Sequence, residues 1–139
     1  MLTSRLIHPE ILAALAASGH GGKILIADGN YPFSTRANAA ARRVYLNLCP
    51  GKLSVTDVLE VLVGAIPIEA ADVMVTDSGQ EPEIYADFRR LLPGLALTAN
   101  QRADFYRKAH DPDVCLVIAT GEQRLFANIL LTIGVVPPG

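Results

Sequence analysis

Three short polar clusters stand out in an otherwise apolar chain. "GHGG" sets His20 among Gly19, Gly21 and Gly22. "ADGN" ends an isoleucine-rich run at Asp28. "TGEQRLFAN" brings Thr120, Glu122, Phe126 and Asn128 directly after the most apolar run of the chain. An imidazole and a carboxylate are suited to general acid–base work, because a histidine has both protonation forms within reach near neutral pH. Other chemistries lack their signatures. No nucleophile elbow surrounds a serine. "GHGG" is no dinucleotide fingerprint, since it follows a helix-like run and precedes a strand-like one. "DGN" offers oxygens to a cation, but three residues are too few to specify one.

Each residue also has a plain structural reading. His20 suits a helix C-terminus as a cation. Asp28 suits the cap of the loop after its strand. Asn128 suits a turn bonded to local backbone. Arg102 suits a solvated helix face, Phe126 suits packing, and Glu122 suits an exposed helix start.

The elements that must position these residues are legible from periodicity. "PEILAALAAS" has Ile11, Leu12, Leu15 and Ala16 on one helical face, with Pro9 at a first helical position and Gly19 as C-terminal cap. "KILIAD" reads as a buried strand ending at Asp28. "GNYPFSTRANAAA" reads as a loop that tightens into a short helical turn. Arg43 to Leu48 alternates as a second strand. "SVTDVLEVLVGAIP" is a helix capped by Ser54 or Thr56. "ADVMVTD" is a strand, and "PEIYADFRRLLPG" a helix opened by Pro82 and closed by Pro93 and Gly94. "LALT" is a short strand, and "NQRADFYRKAH" a helix capped by Asn100 or Thr98. "VCLVIAT" and "NILLTIGVV" are the last two strands.

About six strands interleaved with helices predict an α/β sandwich with a mostly parallel sheet. "GEQRLFA" between the last two strands is too short for a parallel crossover, so one of them runs antiparallel. In such sheets polar groups at the carboxyl ends of strands gather at the ligand crevice. Asp28, Asp77 and Thr120 to Glu122 then form one rim. His20 precedes its strand and lies at the opposite edge. A strand of five or six residues spans roughly 17–20 Å, so one chain cannot easily use His20 and Asp28 together. Either the glycine-rich segment folds over, or His20 serves a neighbouring chain.

Composition narrows the function classes. The chain has 139 residues, half of them apolar, which suits one domain over 1–139 with a sizeable core. A formal net charge of −2 with interspersed signs gives no basic stripe for nucleic acid. No apolar run reaches the roughly 18 residues of a membrane span. Arg5, His8 and Glu10 interrupt the apolar N-terminus, so no signal peptide is expected. Cys49 and Cys115 are expected as buried, reduced thiols, which fits a cytoplasmic location.

Taken together, "GHGGKILIADGNYP" at Gly19 to Pro32, "QRADFYRKA" at Gln101 to Ala109 and "TGEQRLFANILLTIGVVP" at Thr120 to Pro137 resemble the RbsD/FucU family of sugar mutarotases, and more closely its fucose-type branch. "LSVTDVLEVL" resembles the family's intervening helix. The resemblance implies a three-layer α/β/α sandwich with a six-stranded mixed sheet. It implies ring-shaped homo-oligomers, often decamers, with sugar sites at subunit contacts, which would resolve the placement of His20. It implies His20 and Asp28 as catalytic residues, with Arg102 and Asn128 holding sugar, and no cofactor or metal.

One position departs from the pattern: the tyrosine two residues before the asparagine is Phe126 here. The ring is kept and the hydroxyl is lost, so Tyr31 or Tyr106 is a candidate replacement donor. "GNYPFS" also departs from the "AHFP" or "ANFP" of fucose-type members. Mutarotation opens a cyclic hemiacetal and closes it again, with one group taking the proton of the anomeric hydroxyl and another protonating the ring oxygen. Arg102 and Asn128 suit ring hydroxyls, Phe126 a sugar face, and Glu122 a sugar hydroxyl. The leading expectation is a mutarotase for L-fucose or a similar sugar. Ribose pyranase chemistry, a non-catalytic sugar binder and an assembly scaffold are the rivals.

Overall fold

The computed structural model describes residues 1–139. Six strands and four helices follow one another along the chain. They are α1 (Pro9–Ala17), β1 (Lys23–Ala27), β2 (Arg42–Tyr45), α2 (Val55–Val63), β3 (Ile68–Met74), α3 (Tyr85–Leu91), β4 (Leu97–Asn100), α4 (Arg102–Ala109), β5 (Val114–Ala119) and β6 (Ile129–Ile133). They form one sheet in the order β2-β5-β1-β6-β3-β4. β5 pairs in parallel with β1 and β2, and β3 with β4. β6 runs antiparallel between β1 and β3. The mixed, mostly parallel sheet therefore matches expectation, with the last strand as the reversed one.

The central strands are buried on both faces, which is why they read as continuous apolar runs. Alternate residues feed two cores. Ile24, Ile26, Leu116, Ile118, Ile129 and Leu131 pack against α1, α2 and α3 through Ile11, Leu59 and Phe88. Leu25, Val117 and Leu130 pack against α4 through Phe105 and Ala109, and against the loop after β1 through Tyr31, Ala37 and Ala41. Helices thus cover both faces of the sheet.

Local chemistry explains most of the element ends. Ser54 opens α2 with a capping box: its Oγ accepts from Asp57 N at 3.0 Å, and Asp57 Oδ2 accepts from Ser54 N at 2.9 Å. Pro9 begins α1, whose N-cap His8 accepts from Ile11 N through Nδ1. Other expectations are corrected. α1 ends on Ser18 in an extended conformation rather than on Gly19. α3 starts at Tyr85, past Pro82. The N-cap of α4 is Gln101, which makes no side-chain cap bond. Asn100 instead ends β4, and its buried amide donates to Val73 O and Thr98 O, drawing it into the sheet and away from the helix. The loop after β1 turns without forming a helix. Both thiols are free, but Cys49 is exposed and Cys115 only half-buried. Cys49 lies in the turn beyond β2, outside the sheet that would have covered it. No helix is long and apolar enough to cross a membrane.

Candidate active site

The topology delivers one rim. β1 and β3 end at Ala27 and Met74, and β4 ends just before Arg102, all on the carboxyl side of the sheet. β5 ends there too. The short segment from Thr120 to Asn128 turns back at that rim, so β6 must start there and run in reverse. The start of β6 therefore brings Asn128 beside Asp28, 100 residues away in sequence.

Asp28 is 3% exposed and organises the centre of the rim. Its Oδ1 accepts from Asn30 N at 3.0 Å, and its Oδ2 from Ala127 N at 3.0 Å. Its own amide donates to Asn128 Oδ1 at 2.7 Å. Burial pushes the carboxyl above its ordinary value, while the bonds from Ala127, Asn30 and Asn128 pull part of the way back. Asp28 is both a loop cap and a buried carboxyl with raised proton affinity. The expected local turn bond of Asn128 is replaced by this long-range one.

A cleft of about 430 Å³ opens over this pair. Arg102, Phe126, Tyr31, Tyr106 and Met74 complete its walls, together with Asn30 and the exposed Leu125. The Arg102 guanidinium lies 5.6 Å from the Phe126 ring centroid and 3.6 Å from Asp77 Oδ2. Arg102 thus keeps a solvated side while it stacks and pairs at the cleft edge. Phe126 holds φ at 56°, a left-handed backbone uncommon for an aromatic residue. Tyr31 and Tyr106 meet edge to face at 5.4 Å. The Tyr31 hydroxyl donates to Arg36 O at 2.6 Å, and burial raises its pKa. Tyr106 stands under the Arg36 guanidinium at 5.8 Å.

Two expected site residues lie elsewhere. Glu122 does not line the cleft. It is buried, accepts from Val55 N at 3.2 Å and is forked by Arg124. Burial disfavours its charged form, yet the Arg124 and Val55 bonds hold the carboxyl below its ordinary value. His20 sits at the opposite rim, as its place before β1 requires. Gly21 N donates to Ile133 O at 2.9 Å, and Ile133 N donates to Gly22 O at 2.8 Å. These bonds fasten the His20 turn to the far end of β6. β1 has five residues, and a strand of that length spans about 17 Å. The imidazole is 59% exposed. It pairs with Glu69 rather than with the end of α1: His20 Nε2 lies 3.1 Å from both Glu69 carboxylate oxygens. Glu69 is a residue that sequence reasoning missed. It sits in β3, far from His20 in sequence, and only the sheet order brings the two together.

The fold is a mixed α/β sandwich, and its polar and aromatic cleft lies at the carboxyl rim where sheets of this class carry their small-molecule sites. Comparison with known proteins narrows the class. Residues 1–136 match the RbsD / FucU transport protein family, and the chain belongs to that family. The fucose mutarotase of Mus musculus is 28% identical, over 97% of this chain and 94% of its own. The D-ribose pyranase of Bacillus cytotoxicus is 32% identical, over 94% of this chain and 95% of its own. Among solved structures, the fucose mutarotase of Streptococcus pneumoniae in complex with L-fucose superposes with a TM-score of 0.80 at 30% identity, covering 94% of this chain and 95% of that one.

Proposed function

We propose that this protein is a sugar mutarotase that interconverts the anomers of L-fucose or a similar aldose. The observation that carries the reading is the cleft. A buried carboxyl of raised proton affinity, an amide-bearing Asn128 and an arginine stacked on an aromatic ring converge on a space of sugar size, in a chain of this family. Arg102 and Asn128 hold ring hydroxyls, and the Phe126 ring lies against an apolar sugar face.

Ring opening then needs two proton transfers. One group takes the proton from the anomeric hydroxyl as the carbonyl forms. Another gives a proton to the ring oxygen as its bond to the anomeric carbon breaks. Rotation about the adjoining carbon–carbon bond and the reverse transfers close the other anomer. Asp28 is one proton-handling group on the cleft side. His20 is the second, delivered from the opposite rim of a neighbouring chain in a homo-oligomer. Glu69 engages its Nε2 and leaves Nδ1 open. Tyr106 lines the cleft and is our candidate for the hydroxyl that Phe126 lacks, whereas the hydroxyl of Tyr31 is spent on Arg36 O.

A second reading, pyranose–furanose exchange of D-ribose, is favoured by the similarity to D-ribose pyranases and uses the same two transfers. NMR exchange between anomeric signals of fucose and ribose, with and without protein, tests both. Faster exchange of fucose anomers supports the first reading, and faster ribose ring exchange alone supports the second. Protein line broadening without faster exchange of any sugar contradicts an enzyme and marks a binder.

A further inference from the structure

A group of charged side chains that brackets the β5–β6 loop is left unused by the sugar chemistry. Arg124 Nη1 donates to Asp87 Oδ2 at 2.7 Å, in the first turn of α3. Its Nε donates to Glu122 Oε1 at 3.1 Å, and its Nη2 to Glu122 Oε2 at 3.0 Å and Thr56 Oγ1 at 3.4 Å. Glu122 also accepts from Val55 N and from Arg124 N. The β5–β6 loop is thereby bolted to the starts of α2 and α3. Forked, charge-assisted bonds of this kind fix geometry as well as position.

The same loop carries Phe126 and Asn128, the ring and the amide that face the sugar cleft. Phe126 holds its left-handed backbone only two residues beyond Arg124. Such a conformation persists where its surroundings over-determine it. Downstream, Asp28 supplies the restraint through Ala127 N and Asn128 Oδ1. Upstream the restraint is Arg124, because Leu125 between them is 64% exposed and packs little.

We propose that Arg124, braced by Asp87 and Glu122, is a positioning residue that sets sugar affinity by holding the Phe126–Asn128 turn in shape without touching sugar. The kinetic half of this inference rests on the mutarotase reading, and the conformational half does not. Arg124 holds both carboxyls below their ordinary values, Asp87 chiefly through the side-chain bond and Glu122 against the effect of its burial. The brace therefore stays charged throughout the neutral range.

The test combines amide hydrogen exchange over residues 123–128 with kcat and KM from anomeric exchange, for the wild type, Arg124→Ala, Arg124→Lys and Asp87→Asn. Arg124→Ala is expected to speed exchange of the Ala127 amide, and to raise KM about tenfold with kcat within about threefold. Arg124→Lys keeps the charge but loses the fork, and falls in between. Asp87→Asn moves both readouts the same way by less. These two milder variants decide the matter if Arg124→Ala does not fold. Unchanged Ala127 exchange and unchanged KM, with only a lower melting temperature, would overturn the proposal. A wild type that accelerates no sugar defeats the mutarotase reading, while Ala127 exchange still decides the role of Arg124.

Discussion

At the scale of single residues, the cleft is centred on a carboxyl that the fold has largely removed from water. The raised pKa of Asp28 has a definite sign in stability. The folded chain holds this proton more tightly than the unfolded chain does. The stabilisation is full below the ordinary value of 3.8 and is lost as pH rises through the raised value. Denaturation curves of Asp28→Asn against pH are expected to lack that decline. As a proton acceptor in the proposed mechanism Asp28 would act in its charged form, and kcat/KM is then expected to rise with pH through a value above 3.8. His20→Ala is expected to slow anomeric exchange by about 10²–10⁴-fold, the usual weight of a general acid or base, with sugar affinity largely kept. Tyr106→Phe is expected to slow exchange more than Tyr31→Phe, whose hydroxyl is already bonded to Arg36 O. Equal effects of the two tyrosine variants on kcat would contradict the assignment of Tyr106.

At the scale of elements, the rim exists because β6 is reversed. A parallel last strand would put Asn128 at the other edge of the sheet, away from Asp28. Ser54 fixes the start of α2, against which Glu122 and Arg124 brace the site loop. Ser54→Ala is expected to lower stability by about 1 kcal/mol, as read from denaturant midpoints. Gly121 admits no side chain, since a Cβ there would run into the backbone carbonyls of Cys49 and Lys52. Gly121→Ala is expected to destabilise more than Ser54→Ala, and similar midpoints for the two variants would contradict that packing.

Much of this level was legible in sequence. Strand cores such as Ile24–Ile26 and Val117–Ile118 declare themselves by unbroken burial, and the short Thr120–Asn128 link dictates the reversal. What stayed hidden depends on distant pairing. Asn100 looked like a helix cap, because its contacts with Val73 and Thr98 exist only once β3 and β4 pair. Glu122 read equally as a sugar ligand or an exposed helix start, and its burial was hidden because Arg124 and Val55 claim its oxygens only in the folded loop. Glu69 carried no local signal at all.

At the scale of the whole molecule, the chain presents two complementary ends. One rim has the cleft, the half-exposed Arg102 and the exposed Leu125. The other has His20, Glu69 and the exposed Val135 and Val136. An ion pair and exposed apolar residues at each end suit the proposed head-to-tail contact between copies, which closes into a ring where the rotation between copies closes. Elution as a multimer from a sizing column is the expected behaviour, and a monomer would count against the arrangement. The most direct measurement mixes two inactive variants, His20→Ala and Asp28→Asn, under conditions that exchange subunits. Sites built from two chains regain wild-type pairs by random assortment, so anomeric exchange should recover to about a quarter of the wild-type rate. A mixture as inactive as either variant alone would contradict a site shared between chains.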